Sequence, residues 1–151
     1  MIKTTLCYLE KDGQYLMLHR NKKKDDFNEG KWIGVGGKFE EGETADEGAL
    51  REVMEETGYR MNTFVKRAEI DFISDTFPDE EMHLYTCDDF AKVAEPTDYE
   101  GDLHWVDKER VLGLPLWEGD KIFLRYLMED REFFRLRLEY HGSDLVGWEL
   151  L

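Results

Sequence analysis

Residues 37–59 read GKFEEGETADEGALREVMEETGY, and both the fold and the chemistry of the chain turn on this stretch. Thr44 and Glu47 have the spacing of a capping box, in which each side chain satisfies the other residue's free amide. A helix is therefore predicted from Ala45 to Thr57. Gly58 should stop it, because glycine accepts the left-handed conformation common at helix ends. At roughly 100° per residue, Glu55 falls about −60° and Glu56 about +40° from Glu52, so three carboxylates share one face. Ala49, Leu50, Val53, Met54 and Thr57 form an adjoining stripe that can dock on a sheet. Crowded carboxylates raise one another's pKa and cost stability. A hard divalent ion such as magnesium would turn that repulsion into binding. A solvated acidic face is the plainer reading, and the helix alone leaves both open.

The preceding loop favours the ion. Gly36 and Gly37 allow close backbone approach, so a loop carbonyl can join the helix carboxylates around one cation. Arg51 is placed to anchor Glu43 across the loop, an ion pair that would hold the ligands in position.

Working outward, Thr4–Leu9 and Gln14–His19 read as strands joined at Lys11-Asp12-Gly13, a hairpin signal. Residues 21–31 are charged and read as a surface loop. Phe64–Phe77 and Met82–Phe90 read as strands broken at Pro78-Asp79, with a short strand at Leu103–Val106 and a helical turn at Lys108–Leu112. From Asp120 to Glu129, Ile122, Phe123, Tyr126 and Leu127 recur at helical spacing. Phe133–Tyr140 and Leu145–Leu150 flank a last hairpin turn, His141-Gly142-Ser143-Asp144. A mixed sheet with two main helices follows, an α+β fold in one domain spanning 1–151.

Composition narrows the partners. The net charge is −15, which repels nucleic-acid polymers. A small anionic substrate is still admitted, because a bound divalent ion inverts the local field. Cys7 and Cys87 read as buried apolar residues, not a disulfide framework. The opening MIKTTLCYLE shows no signal peptide, and no stretch has the length of a membrane helix. A cytoplasmic, membrane-free protein is the expectation, with the oligomeric state open. His19, His83, His104 and His141 are scattered and read as ordinary strand or loop residues.

Gly37, Glu43, Arg51-Glu52-Val53, Glu55-Glu56 and Gly58-Tyr59 stand at the fixed spacings of a Nudix box. With GKWIGVGGKFEEGET before it and WEGD at 117–120, the chain resembles the MutT-like 8-oxo-dGTP diphosphatases of the Nudix hydrolases. The resemblance implies an α/β/α sandwich around a mixed sheet. It implies that Glu52, Glu55 and Glu56 bind magnesium (manganese is the substitute), helped by the Gly36 carbonyl. It adds Glu100, five residues before Trp105, as a further catalytic glutamate. Arg51 would orient the set, and Glu43 and Gly58 would be structural. The implied reaction is metal-assisted hydrolysis of a nucleoside triphosphate to monophosphate and pyrophosphate, with 8-oxo-dGTP or another oxidised purine nucleotide as substrate.

The resemblance also suggests a substrate pocket. Trp117 offers a stacking face, and Asp120 a group for the base edge; core packing and helix capping are their structural alternatives. Phe27 would close the pocket, Gly37 would border it, and Lys23 and Lys38 would hold phosphates. Ile33 departs from relatives that carry asparagine after the loop tryptophan; it can pack on a base but cannot hydrogen-bond it. Another diphosphate, such as ADP-ribose or a dinucleotide, would use the same box. A non-catalytic nucleotide sensor would lose box glutamates, and all are present here.

Overall fold

In the computed structural model the described residues are 1–22, 28–98 and 100–151. The capping box forms: the Glu47 amide donates to Thr44 Oγ1 at 3.2 Å and the Thr44 amide to Glu47 Oε1 at 2.9 Å. The helix it starts, α1 (Ala45–Thr57), ends at Gly58 with φ 75°. Strands β1 (Ile2–Lys11), β2 (Gln14–His19), β3 (Trp32–Ile33) and β4 (Val35–Lys38) precede it. After it come β5 (Tyr59–Ser74), β6 (Glu80–Lys92), β7 (Asp102–Asp107), α2 (Lys108–Val111), α3 (Glu118–Met128), β8 (Phe134–His141) and β9 (Asp144–Leu150).

The order of the main sheet is β4-β1-β6-β5-β8-β9. Pairs β1–β6 and β5–β8 are parallel and the others antiparallel, so the sheet is mixed. A smaller antiparallel group, β3-β2-β7, joins it through the β1–β2 hairpin. Alternation along the strands assigns the two faces. Cys7, Leu9, Val35, Tyr85 and Cys87 pack with Ala49 and Val53 of α1. Leu6, Tyr8, Ile70, Leu84, Leu136 and Leu138 pack with Phe123, Leu124 and Leu127 of α3. The layers are helix, sheet, helix, as the resemblance implies. Both cysteines are free and buried. No helix among the described residues is long and apolar enough to cross a membrane.

Several boundaries differ from the sequence reading. β5 begins directly after Gly58 and runs 16 residues, with register shifts against β6 near Met61, Thr63 and Lys66. Those irregularities break the alternation that would have marked its first half. α3 starts at Glu118 with Trp117 as N-cap. Asp120 therefore lies inside the first turn and does not cap the helix.

Candidate active site

The last turns of α1 present its carboxylates to the glycine strand β4. Glu56 is 5% exposed and accepts a hydrogen bond from the Gly36 amide at 2.9 Å. Burial pushes its carboxyl well above the usual range, and Glu52, Glu100 and Asp98 push it the same way. Glu52 is likewise raised, by burial first, although Arg51 pulls it down. Glu52 lies against Gly37: a Cβ at that position would stand 2.7 Å from Glu52 Oε1. The glycine is thus a seat for the carboxylate, since any side chain there would displace it.

Arg51 ties the acidic set together. Its Nε donates to Glu43 Oε2 at 2.6 Å and its Nη2 to Glu43 Oε1 at 3.0 Å, a bidentate pair. Nη1 reaches Glu52 at 3.0 Å and Glu55 at 3.1 Å. Nη2 also donates to the Lys38 carbonyl at 3.1 Å. The anticipated anchoring of Glu43 is present, and the same guanidinium also holds two box glutamates. Glu43 is held below the usual carboxylate range by the Arg51 hydrogen bonds.

The loop before β7 is pinned to the end of α1. The Glu55 carbonyl accepts from the Thr97 amide at 2.7 Å and the Asp98 amide at 3.0 Å. The Gly58 carbonyl accepts from Val93 and Ala94 at 2.9 and 3.2 Å. These bonds satisfy carbonyls that a helix end leaves open, and they carry Asp98 and Glu100 to Glu56. Ligand atoms of Glu56, Asp98 and Glu100 all lie within 4.8 Å of one another. A cavity of about 190 Å³ opens over them, with Leu18, Glu56, Pro96, Asp98, Glu100, Asp102 and Leu103 among its walls. From the far side, the buried Arg20 donates to Glu100 Oε2 at 2.7 Å.

Two residues of this arrangement were missed in the sequence. Asp98 carries a faint signal, the acid-rich DYEGD at 98–102. Arg20 carries none, because its partner is 80 positions away.

Of the expected base-pocket residues, Trp117 and Asp120 stand at the start of α3. Asp120 is buried, and burial followed by the Glu80 carboxylate pushes it up to about 8, with Lys31 pulling the other way. Glu80, also missed, is raised by burial and accepts from Thr4 Oγ1 at 2.9 Å. Trp117 donates from Nε1 to Asn28 Oδ1 at 2.7 Å. It meets Tyr140 edge-on and carries Lys31 Nζ 5.2 Å from its ring centroid.

Ile33 is half-buried and pairs with Leu18 of the cavity wall. Lys38 is exposed at the end of β4. Lys23 and Phe27 lie outside the described residues. Two of the histidines are not scattered: His19 stacks on Trp32 at 4.4 Å between centroids, and His104 tilts against the same ring at 5.3 Å. They meet because β2 pairs with both β3 and β7.

Comparison with known proteins gives a family for this geometry. The model of the NUDIX domain matches residues 3–127. The oxidized purine nucleoside triphosphate hydrolase of Danio rerio is 28% identical over 144 residues, covering 94% of this chain and 88% of that one. The protein of the same name from Mus musculus is 32% identical over 113 residues, covering 74% and 71%. The crystal structure of a MutT protein from Bacillus halodurans matches with a TM-score of 0.87 at 24% identity. It covers 99% of this chain and 97% of that one.

Proposed function

The chain belongs to the NUDIX family and is a hydrolase of phosphoric anhydrides, and from that premise we propose that it cleaves an oxidised purine nucleoside triphosphate to monophosphate and pyrophosphate. The observation that carries this reading is the convergence of carboxylates on the buried Glu56.

The donor set fits a hard divalent cation. Carboxylate oxygens sharing one ion at about 2.0–2.6 Å stand roughly 3–5 Å apart, and those of Glu56, Asp98 and Glu100 are within 4.8 Å. The raised Glu56 carboxyl also has the character of a site short of positive charge. Glu52, Glu55, Glu56 and Glu100 would hold magnesium, with the Gly36 carbonyl beside them and manganese as a substitute. When bound, the ion neutralises diphosphate oxygens and lowers the pKa of an attacking water.

The residues of the chain do the rest. Arg51 fixes the directions of Glu52 and Glu55 and leaves them little freedom to swing. A carboxylate of the set takes the proton of the water; coupled carboxylates titrate together, so the base is assigned to the set. Lys38 stands at the end of the glycine strand, where it would meet a phosphate.

At the other end Asp120, held largely neutral by burial, would donate to a base edge, with the Trp117 ring as a flat wall beside it. The names of the Danio rerio and Mus musculus relatives support the oxidised-purine reading.

A substrate panel tests it: kcat/KM for 8-oxo-dGTP, dGTP and ADP-ribose, with and without magnesium. The 8-oxo-dGTP rate should exceed the dGTP rate and need the metal. Equal rates on the two triphosphates would remove the discrimination, and a faster ADP-ribose rate would move the substrate to another diphosphate. Glu56→Gln should lose more than the ~100-fold typical of residues that only support a metal ligand.

A further inference from the structure

The last turns of α1 and the residues before β7 bring five carboxylates together, three of them (Glu56, Asp98 and Glu100) in the cavity wall, and four of the five already have a positive or N–H partner. Glu52 and Glu55 are held by Arg51 at 3.0 and 3.1 Å, Glu100 by Arg20 at 2.7 Å, and Glu56 by the Gly36 amide at 2.9 Å. Asp98 is the exception: among the described residues its carboxylate has neither a basic partner nor an amide donor. Its main chain, in contrast, is fixed. The amides of Thr97 and Asp98 both donate to the Glu55 carbonyl, which registers the loop on the last turn of α1. The Asp98 carboxylate is thereby set in the cavity wall, with a ligand oxygen within 4.8 Å of those of Glu56 and Glu100.

In a chain of net charge −15, a carboxylate held among two others destabilises the fold unless a cation is shared. The backbone bonds hold Asp98 there nonetheless.

We propose that Asp98, which lies outside the Nudix box, is a ligand of the divalent cation and supplies the loop carboxylate that Arg20 does not engage. The inference rests on the metal reading above and adds a residue to it. Glu100 is shared between Arg20, at 2.7 Å, and the cluster. Asp98 has no basic group on its carboxylate among the described residues, so nothing in the protein competes with the ion for it. The loop then has two functions: its main chain closes the helix end, and its side chain completes the donor set.

The test is calorimetric titration of Mn2+ into the substrate-free protein, comparing wild type with Asp98→Asn, Glu56→Gln and Asp102→Asn. Asp98→Asn keeps the amide that bonds Glu55, so the loop anchor survives; equal melting temperatures in EDTA would verify the fold. Asp102 lines the same cavity and is a control for charge loss beside the site, because its carboxylate is occupied by Asn21 at 2.8 Å and Lys22 at 3.4 Å. Asp98→Asn should weaken Mn2+ binding at least about tenfold, the scale of losing one supporting group at a metal site, and Asp102→Asn less than about twofold. If Asp98→Asn binds no more weakly than Asp102→Asn while Glu56→Gln loses affinity, the role of Asp98 is overturned and the metal site stands. If Glu56→Gln also binds like wild type, the metal reading itself fails.

Discussion

Asp120 is a carboxyl placed where water does not reach. Burial raises it from 3.8 to about 8, and the Glu80 carboxylate adds to the shift. Between those two values the folded chain keeps the proton while the unfolded chain releases it. A raised folded pKa means a contribution that is complete below the unfolded value and is lost as pH rises through the folded one. Wild-type stability relative to Asp120→Asn should therefore fall steadily from about pH 4 to about pH 8 and then level off. Denaturant unfolding of both proteins at pH 5, 6.5, 8 and 9 measures this. A gap that stays constant with pH would show that Asp120 is ionised in the fold, and a role donating to a base edge would go with it. The same arithmetic explains why the sequence alone left Asp120 undecided: WEGD states that an acid begins a helix, but not that Leu138 and Tyr140 pack so closely over Gly119 that the turn is sealed.

At the scale of elements, α1 was legible because its signals are local. Thr44, Glu47 and Gly58 each act within one turn, and the structure realises all three. Thr44→Ala breaks the side-chain half of the box and should cost about 1 kcal/mol, read as a lower urea midpoint with an unchanged m value. Gly58→Ala should cost more. It puts a side chain at φ 75°, and its Cβ would lie 1.9 Å from the Ala94 carbonyl oxygen. Because Gly58 also anchors the 93–98 loop, this variant should lose Mn2+ affinity as well as stability, whereas Thr44→Ala should keep it. Equal effects of both on the ion would separate the loop anchor from the site.

What was not legible is non-local. The parallel pairs β1–β6 and β5–β8, the Arg20–Glu100 contact and the Thr4–Glu80 bond join residues far apart in the chain. No periodicity encodes such partners. The bulged start of β5 was missed for a related reason, since register shifts erase the alternation by which a strand is read.

For the whole molecule, the excess of 35 acidic over 20 basic residues should make stability depend on cations in two separable ways. Monovalent salt screens the general self-repulsion, an effect that grows smoothly with ionic strength. A divalent ion bound at Glu56 acts instead by mass action, stabilising the fold by about 2.7 kcal/mol at a hundred times its Kd. For a chain near 150 residues that is a rise of roughly 5–10 °C in Tm. Melting curves in Mg2+ or Mn2+, matched against KCl of equal ionic strength, should show this excess in wild type and not in Glu56→Gln. If KCl reproduces the whole rise, the acidic cluster behaves as a solvated surface, and the carboxylates of α1 hold no ion.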